Sequence, residues 1–292
     1  MKIYRLMSDR NITALLLCLV ITVVSSPVGA AVSPFKPGAV DWEEGFEYPS
    51  KSAQEAVWPS SCPNSPTLLF SNTERPHTGS RSLKMQYSGH QAFKGEPATP
   101  GYMSCYMTRN LIAPSDTVFT RWYMYAENFT YDYVSTKVTR VEKLGVLPGV
   151  WWVFLFGTPR LSANVEGIVN DAGQIATENV QGGAFPQNQW VCVETQLSMS
   201  TPGVDDGIVR QWINGTQTLN KTNQRMRSAI TVDRNGPNSS FETIKIYIQD
   251  GVGVIYLDDY AVSRTARIGC SSSTSTTSDT TRPAPPQELV IK

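Results

Sequence analysis

Apolar and polar residues alternate with a period of two along much of this chain, most clearly between residues 190 and 263. Side chains of an extended strand point to opposite faces in turn, so this period marks strands with one buried face. Residues 190–197 (WVCVETQL) alternate, Asp205-Asp206-Gly207 supplies a tight turn, and residues 208–213 alternate again. Asn214-Gly215 follows, a dipeptide whose members both tolerate the positive φ of a type I′ hairpin turn. Residues 243–249 and 252–256 continue the meander, split by Asp250-Gly251. Upstream, residues 81–87 (RSLKMQY) and 119–125 (FTRWYMY) alternate, and residues 150–156 form the continuous apolar run of a strand buried on both faces. No helical period of comparable strength occurs. The pattern predicts an all-β, two-sheet antiparallel β-sandwich with less than about a tenth helix.

The ends of the chain read differently. Lys2, Arg5 and Arg10 precede an apolar run over residues 14–24, and Val28-Gly29-Ala30 offers small residues for cleavage. Residues 1–30 therefore read as a secretory signal peptide, its apolar run too short for a comfortable bilayer span. Residues 31–270 are the expected sandwich domain. Residues 271–292, a Ser/Thr tract followed by Arg282-Pro283-Ala284-Pro285-Pro286, bury too little apolar surface to fold and read as a tail or linker.

Charge and cysteine content narrow the class. Lys plus Arg number 25 and Asp plus Glu 25, with no basic stripe, which disfavours nucleic acid as a partner. A local basic cleft for an acidic polymer is compatible with that balance. Beyond the leader four cysteines remain, Cys62, Cys105, Cys192 and Cys270, and an even count in an exported chain favours two disulfides. Sequence permits three connectivities; the preferred one is Cys62–Cys105 with Cys192–Cys270. The expected protein is secreted, monomeric and free of the membrane once its leader is removed.

Four segments carry a resemblance: WEEGFE at 42–47, TERPHTGSRSLKMQY at 73–87, FTRWYMY at 119–125 and YLDDYAVS at 256–263. Together they resemble the concanavalin A-like jelly rolls, and within them the polysaccharide lyase-like proteins related to glucuronan lyase, alginate lyase and heparin lyase I. Lys143-Leu144-Gly145-Val146-Leu147-Pro148-Gly149 is similar, with residues interposed, to a Lys-Leu-Pro-Gly motif near the catalytic lysine of one such family. A glycosidase-type Glu-x-Asp-x-x-Glu strand is missing, which disfavours the glucanase branch. The resemblance implies a jelly roll whose groove takes a polysaccharide, and β-elimination on an acidic, uronate-containing glycan.

That reaction removes the C5 proton beside a carboxylate, so a cation or amide must neutralise the carboxylate and a base must take the proton. Strand alternation sets Arg121, Tyr123 and Tyr125 on one face and Trp122 and Met124 on the other. Arg121, Tyr123 and Tyr125, with Lys137, Arg140 and Lys143 reaching the same groove, are the candidate catalytic set. The bland alternative is that the tyrosines cover core and Arg121 is solvated. Of Trp151 and Trp152, adjacent and therefore opposed, one is expected in the core. Glu194 is expected to pair with Arg210, and His77 to serve as a turn residue.

Acidic residues gather at the two chain ends, Glu43, Glu44 and Glu47 at the first strand and Asp258 and Asp259 at the last. In jelly-roll carbohydrate modules those strands are neighbours and resembling segments bind a structural Ca²⁺, which implies Glu43, Glu47 and Asp258 as ligands. Hydrogen bonds to turn backbone are the alternative for the aspartates. Three function classes stand at this point: a lyase, a non-catalytic carbohydrate-binding module, and a surface adhesion protein using the sandwich as scaffold.

Overall fold

The computed structural model describes residues 40–270, apart from 63–68, 94, 131–134, 144–145, 156–157, 170–173 and 231–234. The expected leader and the Ser/Thr/Pro tail lie outside the described residues. In chain order the elements are β1 (Trp42–Glu44), α1 (Lys51–Val57), β2 (Leu69–Asn72), β3 (Ser82–Gly89), β4 (Cys105–Ser115), β5 (Thr117–Thr130) and β6 (Thr136–Lys143). They continue as β7 (Val146–Phe154), β8 (Arg160–Val169), β9 (Ile175–Ala184), β10 (Val191–Ser198), β11 (Gly207–Ile213), β12 (Thr216–Gln224), β13 (Phe241–Gln249) and β14 (Gly251–Ser263).

Two antiparallel sheets result. One has eight strands in the order β12-β11-β10-β5-β14-β3-β2, with β1 also paired to β14; the other has six, β4-β13-β6-β7-β8-β9. This is the two-sheet jelly roll that the alternation predicts. The helix α1 has a local cause. Ser50 Oγ accepts from the Ala53 backbone N–H at 3.2 Å, an N-cap, and buried Gln54 pins the helix by donating to Leu69 O and accepting from Ser71 N. No helix among the described residues is long and apolar enough to cross a membrane.

The core lies between the sheets and its centre is an aromatic stack. Trp122 of β5 lies parallel to Tyr260 at 5.5 Å, Tyr260 parallel to Trp42 at 5.9 Å, and Trp152 of β7 meets Trp122 at 6.4 Å from the opposite sheet. Tyr260 reaches the core only because of a β-bulge. The register of β14 on β5 shifts between Asp258 and Ala261, and Asp259 takes φ +46°. One extra residue resets the alternation, so Leu257 and Tyr260, three apart, both point inward.

Two turn signals resolve differently. Asn214-Gly215 closes the β11–β12 hairpin, with φ of +47° and +79° as a type I′ turn requires. Asp250-Gly251, also at positive φ, joins no hairpin: β13 belongs to the six-stranded sheet and β14 to the eight-stranded one, so this corner carries the chain between layers. A local dipeptide cannot distinguish the two cases, since both need the same backbone reversal.

The disulfides are Cys62–Cys105 and Cys192–Cys270, the preferred pairing. They close loops of 43 and 78 residues. On the chain-entropy model these contribute roughly 4 and 4.5 kcal/mol.

Candidate glycan-binding face

The register divides the predicted catalytic set between the two outer faces of the sandwich. Trp122, Met124 and Ala126 of β5 are core, so Arg121, Tyr123 and Tyr125 point away from the six-stranded sheet, sharing one side as alternation requires. That side is covered. His77 stacks on Tyr123 at 3.8 Å, Arg75 lies 4.1 Å over Tyr125, and Arg121 pairs with Glu43 and donates to Asp259 O. Arg121 and Tyr123 are each only 6% exposed, which leaves a polymer no access to them. His77, expected as a turn residue, does more: its Nδ1 lies 2.7 Å from Asp259 Oδ2 and its ring covers the sheet.

Lys137 and Arg140 stand on the opposite face, that of the six-stranded sheet. In an uninterrupted strand residues three apart point opposite ways; here the register shifts between Lys137 and Thr139, so both side chains come out together. They converge on Trp151 of β7, Lys137 at 4.7 Å and Arg140 at 4.5 Å from its ring. Trp152 is the core member of the tryptophan pair, and Trp151 forms a separate outer cluster with Val153, Leu155 and Tyr247. That outer cluster explains the continuous apolar run, whose outward residues are covered by the cations and tyrosines of their own face. Lys143 ends β6, paired in register with Val146.

Neighbouring strands complete the face. Tyr247 of β13 meets Trp151 edge-on at 5.1 Å and stacks on Tyr106 of β4 at 5.4 Å, while Lys245 lies 4.8 Å over Tyr106. Beneath them Glu142, fully buried, pairs with Arg140 at 2.9 Å and Lys245 at 2.7 Å; Arg140 also reaches Glu166 of β8 at 2.9 Å. Gly149 makes room for this network, because a Cβ there would sit 2.5 Å from the Arg140 guanidinium. Beside Lys137 opens a cavity of about 250 Å³, whose wall includes Gln91, Asn164, Glu166 and Asp250.

The environment pushes two titratable groups apart. Burial lowers the Lys137 ammonium below the usual lysine range; the Arg140 charge adds to this, and Glu166 and Asp250 oppose it. Its Nζ donates to Gln249 Oε1 at 3.2 Å. Burial raises the Tyr247 phenol, and the neighbouring Tyr106 and Asp250 raise it further. Burial thus favours the neutral form of both groups, and both pack on Trp151.

No family model matches this sequence, and no curated protein does. Among solved structures, the marine PL-14 alginate lyase from Aplysia kurodai is similar at TM-score 0.51 and 14% identity, covering 78% of this chain and 100% of that one. The fold is that of jelly-roll polysaccharide lyases. An endo-beta-1,4-glucuronan lyase from the fungus Trichoderma reesei is also similar, at TM-score 0.49 and 12% identity over 77% of this chain and 96% of that one. Cellulose induced protein, Cip1, is similar at TM-score 0.48 and 16% identity over 78% and 99%. At such identities it is the fold alone that is shared.

The acidic residues at the two chain ends take different partners. Glu43 goes to Arg121. Glu47 and Asp258 both grip the 77–81 loop: Glu47 accepts from the Ser80 and Arg81 N–H groups and the Ser80 hydroxyl, Asp258 from the His77 and Thr78 N–H groups. The three carboxylates form no compact three-ligand cluster among the described residues. Burial, then the charge of Asp259, pushes the Asp258 carboxyl up to about 8 against three backbone N–H donors. Asp259, half-buried, is held below the usual carboxylate range by hydrogen bonds from His77 and Thr78 that outweigh its burial. Glu47 and Asp258 thus face the same 77–81 loop, whereas Glu43 is turned to Arg121.

Glu194 does not take Arg210 as its partner. It is 1% exposed and accepts two bonds from Arg267, at 2.8 and 2.6 Å, and one from Gly269 N, while Arg210 turns to Gln196 and Asn220. The partner lies 73 residues away, on the segment that the Cys192–Cys270 disulfide brings alongside. Tyr247, Lys245, Glu142 and Asp250 escaped the sequence reading of the site. For Lys245 and Tyr247 a signal existed, since they are the polar alternates of Ile244, Ile246 and Ile248.

Proposed function

We propose that this protein is an exported polysaccharide lyase that lays an acidic, uronate-containing glycan across the outer face of its six-stranded sheet. The observation that carries the reading is that the desolvated Lys137 and Tyr247 both pack against Trp151. Lys137, as the neutral amine, takes the C5 proton; the electron pair forms the C4–C5 double bond, the C4–O bond breaks, and Tyr247 protonates the departing oxygen. Arg140 is the cation at hand to neutralise the sugar carboxylate, and the half-buried Tyr106 and Tyr247, seated on the buried Trp151, offer ring surface to a sugar. Arg121, Tyr123 and Tyr125, on the covered face of the other sheet, have no part in this chemistry. Two disulfides support export to an oxidising compartment. A structural calcium ion held by Glu47 and Asp258, with carbonyls of the 77–81 loop, would brace the covered side and take no part in the reaction.

A second reading, glycan binding without turnover, draws on one feature of the same face. Arg140 and Lys245 are already paired with Glu142 and Glu166, which reduces the positive charge left for a polyanion. Incubation with alginate, glucuronan, pectate and heparin, followed by the ultraviolet absorbance of unsaturated uronate and by calorimetric binding, separates the two. Absorbance growth supports the lyase, binding without growth supports the module, and neither response on any acidic polymer removes both.

A further inference from the structure

We infer that this chain carries N-linked oligosaccharides at Asn128, Asn214, Asn220 and Asn238, the first three on the sheet opposite the candidate glycan-binding face. Each begins an Asn-x-Ser/Thr tripeptide with no proline between: Asn128-Phe129-Thr130, Asn214-Gly215-Thr216, Asn220-Lys221-Thr222 and Asn238-Ser239-Ser240. A tripeptide alone is weak evidence in a Ser/Thr-rich chain, so its presentation in the fold decides.

All four asparagines are exposed. In three of them a hydrogen bond holds the amide oxygen and leaves the nitrogen unused. Asn128 Oδ1 accepts from Asn188 Nδ2 at 3.0 Å, Asn214 Oδ1 from the Cys192 N–H at 3.0 Å, and Asn220 Oδ1 from Arg210 Nε at 2.8 Å. Asn238 lies in a turn ahead of β13. Outside such tripeptides both arrangements occur: Asn72, Asn110 and Asn179 also accept through the oxygen, while others donate through the nitrogen. Asn164 donates its Nδ2 to Asn179, Asn188 donates to Asn128, and buried Asn235 donates to Gly167 O. The nitrogen is the atom that must react, so the anchored oxygen and free nitrogen present the correct end of the side chain.

Their distribution has a functional sense. Asn128 lies near the end of β5, Asn214 at the tip of the β11–β12 hairpin and Asn220 on β12, all on the eight-stranded sheet. Strand β12 is the outer strand of that sheet, where an unpaired backbone edge invites pairing with another chain; a bulky, hydrated glycan there blocks it. On the six-stranded sheet, Asn164 and Asn179 of the candidate face are followed at the second position by Glu166 and Gln181 and cannot be acceptors. The donor is an oligosaccharide linked to a polyprenyl pyrophosphate. The asparagine Nδ2 bonds to the anomeric carbon and gives up one proton, the anomeric C–O bond breaks, and polyprenyl pyrophosphate leaves.

The test is secretion of the full chain, leader included, from a eukaryotic cell line, with intact mass measured before and after peptide-N-glycosidase. The expected result is a loss equal to four glycans, with four Asn-to-Asp conversions mapped to residues 128, 214, 220 and 238. Thr130→Ala, Thr216→Ala, Thr222→Ala and Ser240→Ala should each remove one glycan while sparing the asparagine contacts, and Thr216→Ser should keep it. An unshifted mass, from cells that glycosylate a control protein in the same culture, overturns the inference. So does a glycan mapped to any asparagine outside the four.

Discussion

Replacing Lys137 by arginine separates a base from a mere anchor. Arginine keeps the positive charge, can still lie on Trp151 and donate to Gln249, and so preserves whatever Lys137 contributes to holding a polyanion. It stays protonated at any pH the fold survives, so it cannot take a proton. Loss of a general base slows turnover by about 10²–10⁴-fold, or roughly 3–5 kcal/mol of barrier. Lys137→Arg should therefore lose that much kcat with Kd for the polymer nearly unchanged, whereas Lys137→Ala should lose both. The pH profile adds a second reading. A base acts when deprotonated, so the rate should rise with pH along a limb lying below the ordinary lysine value, because burial lowers this ammonium. Glu166 raises it again, so Glu166→Gln should move the limb to still lower pH. Rates from unsaturated-uronate absorbance and affinities from calorimetry supply both numbers. Full activity in Lys137→Arg, or a limb unmoved in Glu166→Gln, refutes the assignment of Lys137 as base.

Gly149→Ala should displace the Arg140 guanidinium, weakening polymer binding and, by disturbing its pair with buried Glu142, lowering Tm; calorimetry and a thermal melt check both halves. Glu194→Ala, which strips a buried carboxylate from Arg267 and Gly269, should destabilise the fold by about 3–5 kcal/mol in denaturant titration, and a loss under about 1 kcal/mol would contradict it. Asp258, with a folded value of about 8 above an unfolded value near 3.9, contributes stability that is complete at low pH and lost as pH rises through 8. Tm should accordingly fall between pH 5 and 8 and recover with calcium more at pH 8 than at pH 5, and Asp258→Asn should flatten both responses.

The two-sheet class, half of the fourteen described strands and the hairpin at Asn214-Gly215 were legible in the sequence because alternation is a local consequence of burying one face. Arg121, Tyr123 and Tyr125 share a side, and Trp151 and Trp152 oppose each other, for the same reason. The cysteine count favoured two disulfides, and export chemistry follows from them. None of this required knowing which strands are neighbours.

Only the tertiary structure decided which side matters. Alternation assigns side chains to one face or the other but is silent on whether that face is open, and here the β5 face is closed by His77, Arg75 and Glu43, the first two on a loop forty residues and more upstream in sequence. Bulges are equally invisible, since they depend on the partner strand's register. One at Lys137–Thr139 brings Lys137 and Arg140 onto one face, and another at Asp258–Ala261 turns Tyr260 into the core. The Asp250-Gly251 corner reads as a hairpin until the two strands are found in different sheets. Local pattern determined what each strand is; long-range pairing, fixed by packing across the sandwich, determined what its outward residues meet.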